Sequence, residues 1–203
     1  EPGGGGINVA RVIRELGGNA QVDCLAGGVT GSLLGELLSR IGVHHRIIRI
    51  SGTTRMAHMV FERSTGLEYR FIPSGPEVSG EEIEEALEAV RSASFGWLVA
   101  SGSVPPGVST DILVRFGEIA AEKGARFILD SHGPGLTGTL GATPVHLVKP
   151  SLNELQDMVG YDLELNGCAE VAANLVATGK ADIVAVTMGA AGALIASKDG
   201  TFH

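Results

Sequence analysis

Four consecutive glycines, Gly3 to Gly6, stand directly before an amphipathic run, with Asn8 two residues beyond them. Glycine loses more backbone entropy on folding than any other residue, so four in a row point to a main chain that something must approach closely. At a helix N-terminus their N–H groups and the helix dipole form a nest for an anion or a hydroxyl. Asn8 adds a side chain that both donates and accepts hydrogen bonds, as reading a polyol requires. A flexible turn is the plain alternative. The familiar phosphate loops do not apply, because the dinucleotide fingerprint needs glycine where Asn8 stands and Gly-Lys-Ser/Thr occurs nowhere in the chain.

Further candidates stand at the ends of apolar runs. Lys149 in "LVKPSLNELQDM" places a cation at a strand's C-terminal edge, where open α/β sheets bind ligands. Ser151 and Glu154 behind it form a capping box, and helix capping alone would explain that pair. "SGSVPPG", Ser101 to Gly107, follows another apolar run and offers the Ser103 hydroxyl on a loop stiffened by two prolines; an ordinary loop would read the same way. In "VTMGAAGAL", Thr187 ends a strand and Gly189 and Gly192 make either a hairpin turn or the border of a nucleotide. Gly27, Gly28 and Gly31 suit a tight strand-to-helix crossover and a ligand contact equally. Arg55 and Arg70 read first as solvated surface cations. If their segment folds over the crevice, the planar fork of Arg55 suits a phosphate.

The elements that must carry these residues follow from periodicity. Val9, Val12, Ile13 and Leu16 share one helical face, which predicts a helix from Asn8 to Leu16 closed by Gly17-Gly18. A strand over Gln21 to Ala26 and a helix from about Thr30 to Ile41 come next. Ser79 and Glu82 make a second capping box, ahead of a helix whose core face is Ile83, Ala86, Leu87 and Val90. "WLVASG" and "RFILD" read as buried strands around a helix from Ile112 to Lys123. Helices alternating with short apolar strands predict an α/β fold, with a parallel sheet covered on both faces.

One segment departs from that rhythm. Between His44 and Ile72, "HHRIIRI", "RMAHMVFE" and "LEYRFI" are separated only by turn residues, which favours antiparallel hairpins. Residues 51–72 read as a small β-appendage on a body formed by 1–50 and 73–203. Its exposed strands call for cover from a ligand or a second subunit. Both termini read as cut, since no strand delivers the glycine run and the chain stops just after the turn at Asp199-Gly200.

Composition limits what the chain can do. Its formal net charge is −8 and no Lys/Arg cluster exceeds two residues, so nothing draws it to a nucleic acid or an anionic membrane. An anionic substrate must be held by a few placed cations and backbone amides. Cys24 and Cys168 provide neither a disulfide framework nor a metal knuckle, which suits a reducing cytosol, and the six histidines have no metal-ligand spacing.

Taken in order, "PGGGGINVAR" with "LGG", then "GGVTG", "SGSVPPGV", "LDSHG", "LVKPSLNEL" and "VTMGAAGAL" resemble the ribokinase-like (PfkB) carbohydrate kinase family along essentially the whole chain. The four-glycine form and "EYRFIPSGP" are most similar to the minor-type bacterial ATP-dependent 6-phosphofructokinases; related sugar-phosphate kinases often carry Lys where Gly5 stands. The resemblance implies a doubly wound, mostly parallel sheet flanked by helices, with a β-sheet lid that clasps a second subunit's lid in a homodimer. It implies a cytoplasmic enzyme that moves the ATP γ-phosphate to the 1-hydroxyl of fructose 6-phosphate with Mg²⁺. Gly4, Gly5 and Asn8 are then expected on the sugar hydroxyls, Arg55 on the 6-phosphate and Ser103 on the sugar side of the cleft. Lys149 is expected on the ATP phosphates, Glu154 on Mg²⁺ through water, and Thr187, Gly189 and Gly192 beside the nucleotide.

Two departures from the family pattern stand out. Ser151 replaces the Asn of the family's NxxE motif, which keeps the helix cap but alters the Mg²⁺ hydration network. The GAGD segment with the catalytic Asp is expected beyond His203, and an early sugar-gripping Asp before Glu1, so the stretch alone is expected to be inactive. Tagatose-6-phosphate kinase and 1-phosphofructokinase activities are the nearest alternatives. A non-catalytic sugar- or nucleotide-binding module follows, and a dinucleotide-dependent oxidoreductase is more distant.

Overall fold

Glycine shapes the first element before any apolar residue does. In the computed structural model, which describes residues 1–203, helix α1 runs Gly5–Glu15, three residues ahead of the expected start. Gly5 and Gly6 form its first turn, and lacking side chains they carry no periodic signal that could announce it. The face it buries also differs from the expected one. Ile7 and Ala10 are buried, whereas Val12 and Leu16 are exposed, Leu16 at 82%. The periodicity is real, but the stripe facing the core is rotated toward the glycine end.

The structure separates into two compact units. The first comprises Glu1–Gly3, Ile7–Ala89 and Pro105–Val108. In it β1 (Gln21–Ala26) leads into α2 (Gly28–Arg40) and β2 (His44–Arg49). The two strands are parallel, in register from Gln21 opposite His44 to Ala26 opposite Arg49. "HHRIIR" is thus the parallel partner of β1, reached through a crossover helix, and only the next two runs form an antiparallel hairpin. Ile7, Ala10, Val22, Leu38 and Val43 make one core cluster, and Ile48, Ala86 and Ala89 make another. Strands β3 (His58–Glu62) and β4 (Leu67–Phe71) pair antiparallel as a separate two-stranded sheet, with Val60 opposite Tyr69. Helix α3 (Gly80–Ser92) starts at its capping box, in which the Glu82 amide donates to Ser79 Oγ at 3.2 Å and the Ser79 amide to Glu82 Oε2 at 2.8 Å. Its Ile83, Ala86, Leu87 and Val90 are buried, as the periodicity requires.

The second unit comprises Gly4–Gly6, Val90–Val104 and Ser109–His203. Its elements are β5 (Trp97–Ser101), α4 (Asp111–Glu122), β6 (Arg126–Asp130), α5 (Gly133–Thr139), β7 (Leu147–Val148), α6 (Leu152–Val159), α7 (Leu165–Ala177), β8 (Ile183–Thr187), β9 (Ala193–Ser197) and β10 (Gly200–Phe202). They form one sheet in the order β10-β9-β8-β7-β6-β5. Strands β5 to β8 are parallel, and β9 and β10 fold back antiparallel. Phe127, Leu129, Val148, Val184, Val186 and Leu194 are fully buried in it. The expected burial of "WLVAS" is corrected here: β5 is the edge strand of this sheet and most of it is only half-buried, with Trp97 51% exposed. An apolar run reports a wish for cover; strand order decides whether cover is present.

Candidate active site

Three neighbouring parallel strands deliver their C-terminal ends to one place. Ser101 ends β5 and Asp130 ends β6, and the two are register partners, so their side chains leave the sheet on the same side. Ser101 Oγ donates to Asp130 Oδ2 at 2.8 Å. Lys149 stands one residue past β7, where its amide donates to the Leu129 carbonyl at 3.0 Å. Its Nζ lies 3.0 Å from Asp130 Oδ1. Both side chains of this ion pair are partly exposed, 39% for Lys149 and 29% for Asp130, so the pair can be reached from solvent.

The glycine run enters the same cluster. Gly4 has φ +129°, which turns the chain into α1. A Cβ on Gly5 would fall on the Ser101 hydroxyl and lie 3.0 Å from Ser101 Cβ. Residue 5 is therefore bare because the end of β5 occupies its side-chain space. The turn after β5 is held by the Gly102 amide, which donates to the Asp130 carbonyl at 2.9 Å, and by Ser131 Oγ, which donates to the Gly102 carbonyl at 3.2 Å. Ser103 follows on the exposed side of that turn.

Beyond Lys149, helix α6 opens on its capping box. The Ser151 amide donates to Glu154 Oε2 at 2.7 Å and the Glu154 amide to Ser151 Oγ at 3.3 Å. Ser151 also bridges Thr187 at the end of β8, whose amide donates to the Pro150 carbonyl at 3.0 Å. Gly189 and Gly192 flank a single 3-10 turn between β8 and β9, closed by the Met188 amide on the Gly192 carbonyl at 2.9 Å. Both glycines have positive φ, +57° and +91°. The hairpin reading of this stretch is correct, and the turn is exposed next to the α6 N-terminus.

The structure thus gathers Gly4, Gly5, Ser103, Lys149, Glu154, Thr187, Gly189 and Gly192 in the second unit, around the strand ends. Asn8 and Arg55 belong to the first unit. Asn8 is exposed in the first turn of α1. Arg55 does not open a strand as expected: it precedes β3 by three residues, and its Nη1 donates to the Pro73 carbonyl at 3.3 Å, linking the two roots of the hairpin. Arg70 pairs with Glu68 at 2.9 Å within β4.

Packing accounts for Gly27, Gly28 and Gly31. The Gly27 amide donates to Thr54 Oγ1 and its carbonyl accepts from the Thr54 amide, each at 3.0 Å. A Cβ on Gly27 would strike the carbonyls of Ile50 and Gly52. The turn is a strut under the hairpin root.

Neither cysteine is poised as a nucleophile. Burial, with the Asp23 charge as a second cause, pushes the Cys24 thiol up to about 11, and burial also raises Cys168.

Sequence reasoning missed Ser101 and Asp130 as site residues. Each is the last residue of an apolar strand and immediately precedes a turn, as Lys149 nearly does; that shared position was the available signal.

The donor set fits a water-mediated Mg²⁺. Glu154 presents a hard carboxylate fixed by the Ser151 amide, and Mg²⁺ keeps several waters while binding one or two carboxylates and substrate phosphates. Glu154 would hold such an ion through its waters.

A lysine, a carboxylate and two glycine turns thus lie at the C-terminal ends of parallel strands, the edge at which open α/β sheets take their ligands. The chain belongs to the pfkB family of carbohydrate kinases, whose family model matches residues 1–203. It is 42% identical over 202 residues to the ATP-dependent 6-phosphofructokinase isozyme 2 of Mycobacterium tuberculosis, covering 98% of this chain and 59% of that protein. It is 38% identical over 196 residues to the Escherichia coli isozyme 2, covering 96% of this chain and 63% of that protein. The crystal structure of Escherichia coli phosphofructokinase-2 in complex with fructose-6-phosphate superposes with a TM-score of 0.94 at 36% identity, over 100% of this chain and 68% of that one. The chain spans about three-fifths of the length of these curated relatives.

Proposed function

We propose that the protein transfers the γ-phosphate of ATP to the 1-hydroxyl of fructose 6-phosphate, forming fructose 1,6-bisphosphate in glycolysis. The observation that carries this reading is the continuous line from Gly5 through Ser101 and Asp130 to Lys149. The Ser101 hydroxyl, packed against the bare main chain of Gly5, and a cation suited to phosphate share one carboxylate.

The roles follow the chemistry of each group. Gly4 and Gly5 offer main chain to the sugar, with Asn8 and Ser103 as hydrogen-bonding side chains and Arg55 as the partner of the 6-phosphate. Lys149 meets the ATP phosphates as a mobile point charge, drawn from Asp130. Thr187, Gly189 and Gly192 border the nucleotide, and Glu154 orders Mg²⁺ through water. Phosphoryl transfer depends chiefly on positioning and charge stabilisation, and these residues contribute to both.

The β3–β4 sheet serves as a lid and as a homodimer interface. Val60, Leu67, Tyr69 and Phe71 project from one face of it and all are exposed, Phe71 at 57%. An exposed apolar face on a two-stranded sheet suits a second copy of itself. A cytoplasmic setting agrees with the free thiols of Cys24 and Cys168; no helix is long and apolar enough to cross a membrane.

The test is an ADP-release assay on the full-length protein with fructose 6-phosphate, tagatose 6-phosphate and fructose 1-phosphate in parallel. The highest kcat/KM is expected with fructose 6-phosphate. Preference for another sugar reassigns the substrate within the family, and binding of both ligands without ADP release favours a non-catalytic module.

A further inference from the structure

The geometry points to Asp130 as a positioning residue that couples the sugar and nucleotide sides of the site through its two carboxylate oxygens. The identity of the two ligands rests on the kinase reading above; the coupling rests on the contacts themselves. Oδ2 accepts from the Ser101 hydroxyl at 2.8 Å, and that hydroxyl fills the side-chain space of Gly5. Oδ1 lies 3.0 Å from Lys149 Nζ. The group between them is well anchored. Asp130 follows the fully buried Leu129 on β6, and its own carbonyl accepts from the Gly102 amide at 2.9 Å.

Each neighbour depends on that carboxylate in its own way. Lysine carries its charge on a flexible four-carbon stem, and a fixed acceptor is what gives the ammonium one location. A serine hydroxyl rotates freely until an acceptor orients it. A carboxylate that does both transmits change: when a phosphate draws the ammonium away from Oδ1, the charge on Oδ2 is less compensated and the Ser101 bond strengthens. The hydroxyl beside Gly5 is then held more firmly. Linkage requires the converse, so the sugar side biases Lys149 by the same factor.

The experiment is calorimetry on the full-length protein, with a non-hydrolysable ATP analogue and with fructose 6-phosphate, combined with NMR of the Gly5 amide. Ser101→Ala is expected to weaken sugar-phosphate binding. Lys149→Met is expected to weaken nucleotide binding while leaving sugar-phosphate binding as tight as or tighter than in the wild type, since Oδ2 then loses its compensating charge. Asp130→Asn is expected to weaken both, each by about tenfold, as for loss of a charge-assisted hydrogen bond. In the Asp130→Asn background, Ser101→Ala should add no further loss, a non-additivity that general destabilisation would not produce. The Gly5 amide resonance should move in Ser101→Ala and Asp130→Asn without any ligand. Additive losses, an Asp130→Asn effect confined to one ligand, or an unmoved Gly5 resonance would each overturn the coupling. A wild type that binds neither ligand removes the kinase reading, and the ligand-free Gly5 resonance then decides the Asp130–Ser101 link on its own.

Discussion

The Ser101 hydroxyl occupies the space that a side chain on Gly5 would need, although the two residues lie far apart in the chain. Gly5→Ala should therefore overpack the first turn of α1 and cost about 1–3 kcal/mol. Ser101→Gly in the same protein should recover most of that loss. Thermal unfolding of the two single variants and the double variant measures it. A Gly5→Ala variant that melts with the wild type would show that the approach is looser than described.

Ser151 stands where the family motif carries Asn, and its hydroxyl caps α6. Ser and Asn are comparable N-caps, whereas alanine cannot accept the helix amide. Ser151→Ala should lower stability by about 1 kcal/mol, while Ser151→Asn should stay within a few tenths. Denaturant melts distinguish the two. If the Ala and Asn variants unfold together, the cap contributes nothing measurable.

Glu82 ties the hairpin root to α3. Its carboxylate accepts from the Ser79 amide at 2.8 Å and the Ser51 amide at 2.6 Å, and these bonds, Ser79 first, hold its pKa below the ordinary value of 4.5. A depressed folded-state pKa contributes stability that is complete above the ordinary glutamate range and is lost as pH falls through the folded-state value. Ser51 amide protection should thus be constant from neutral pH down to about 4.5 and should decline below it. In Glu82→Gln that acid-linked step should vanish. Hydrogen exchange read across pH 6 to 3 checks both, and an unchanged step in Glu82→Gln would assign it to another group.

Val60 lies opposite Tyr69 on the apolar face of the β3–β4 sheet. A lysine there places a charge in the middle of a surface proposed to pair with its own copy, at a desolvation cost. Val60→Lys should shift the protein from dimer to monomer in sedimentation velocity while leaving its far-UV spectrum unchanged. Met59→Lys, on the opposite face, is the control. A wild type that sediments as a monomer, or a Val60→Lys variant that stays dimeric, removes this face as the interface.

Features made within three or four residues were legible in the amino-acid order. Both capping boxes, Ser79 with Glu82 and Ser151 with Glu154, are present as read. The bounds of β1 and the turn between β8 and β9 also stand as read, as does the buried face of α3. In each, the groups that satisfy one another are close in the chain, so local chemistry decides the outcome. The order of the glycine, Lys149 and Thr187 motifs likewise carried the family.

Other features needed the sheet to form first. Ser101 and Asp130 meet across 29 residues only because β5 and β6 are neighbours in one register. Nothing near Gly5 in sequence says that the end of β5 fills its side-chain space. Strand order likewise leaves "WLVAS" at an edge, and packing rotates α1 so that Ile7 and Ala10, rather than Val12 and Leu16, meet the core. Residue order determined the turns, caps and apolar runs because those are short-range balances of backbone conformation and hydrogen bonding. Only the tertiary structure decided which strand ends stand side by side, because that depends on contacts between segments whose separation along the chain carries no local signal.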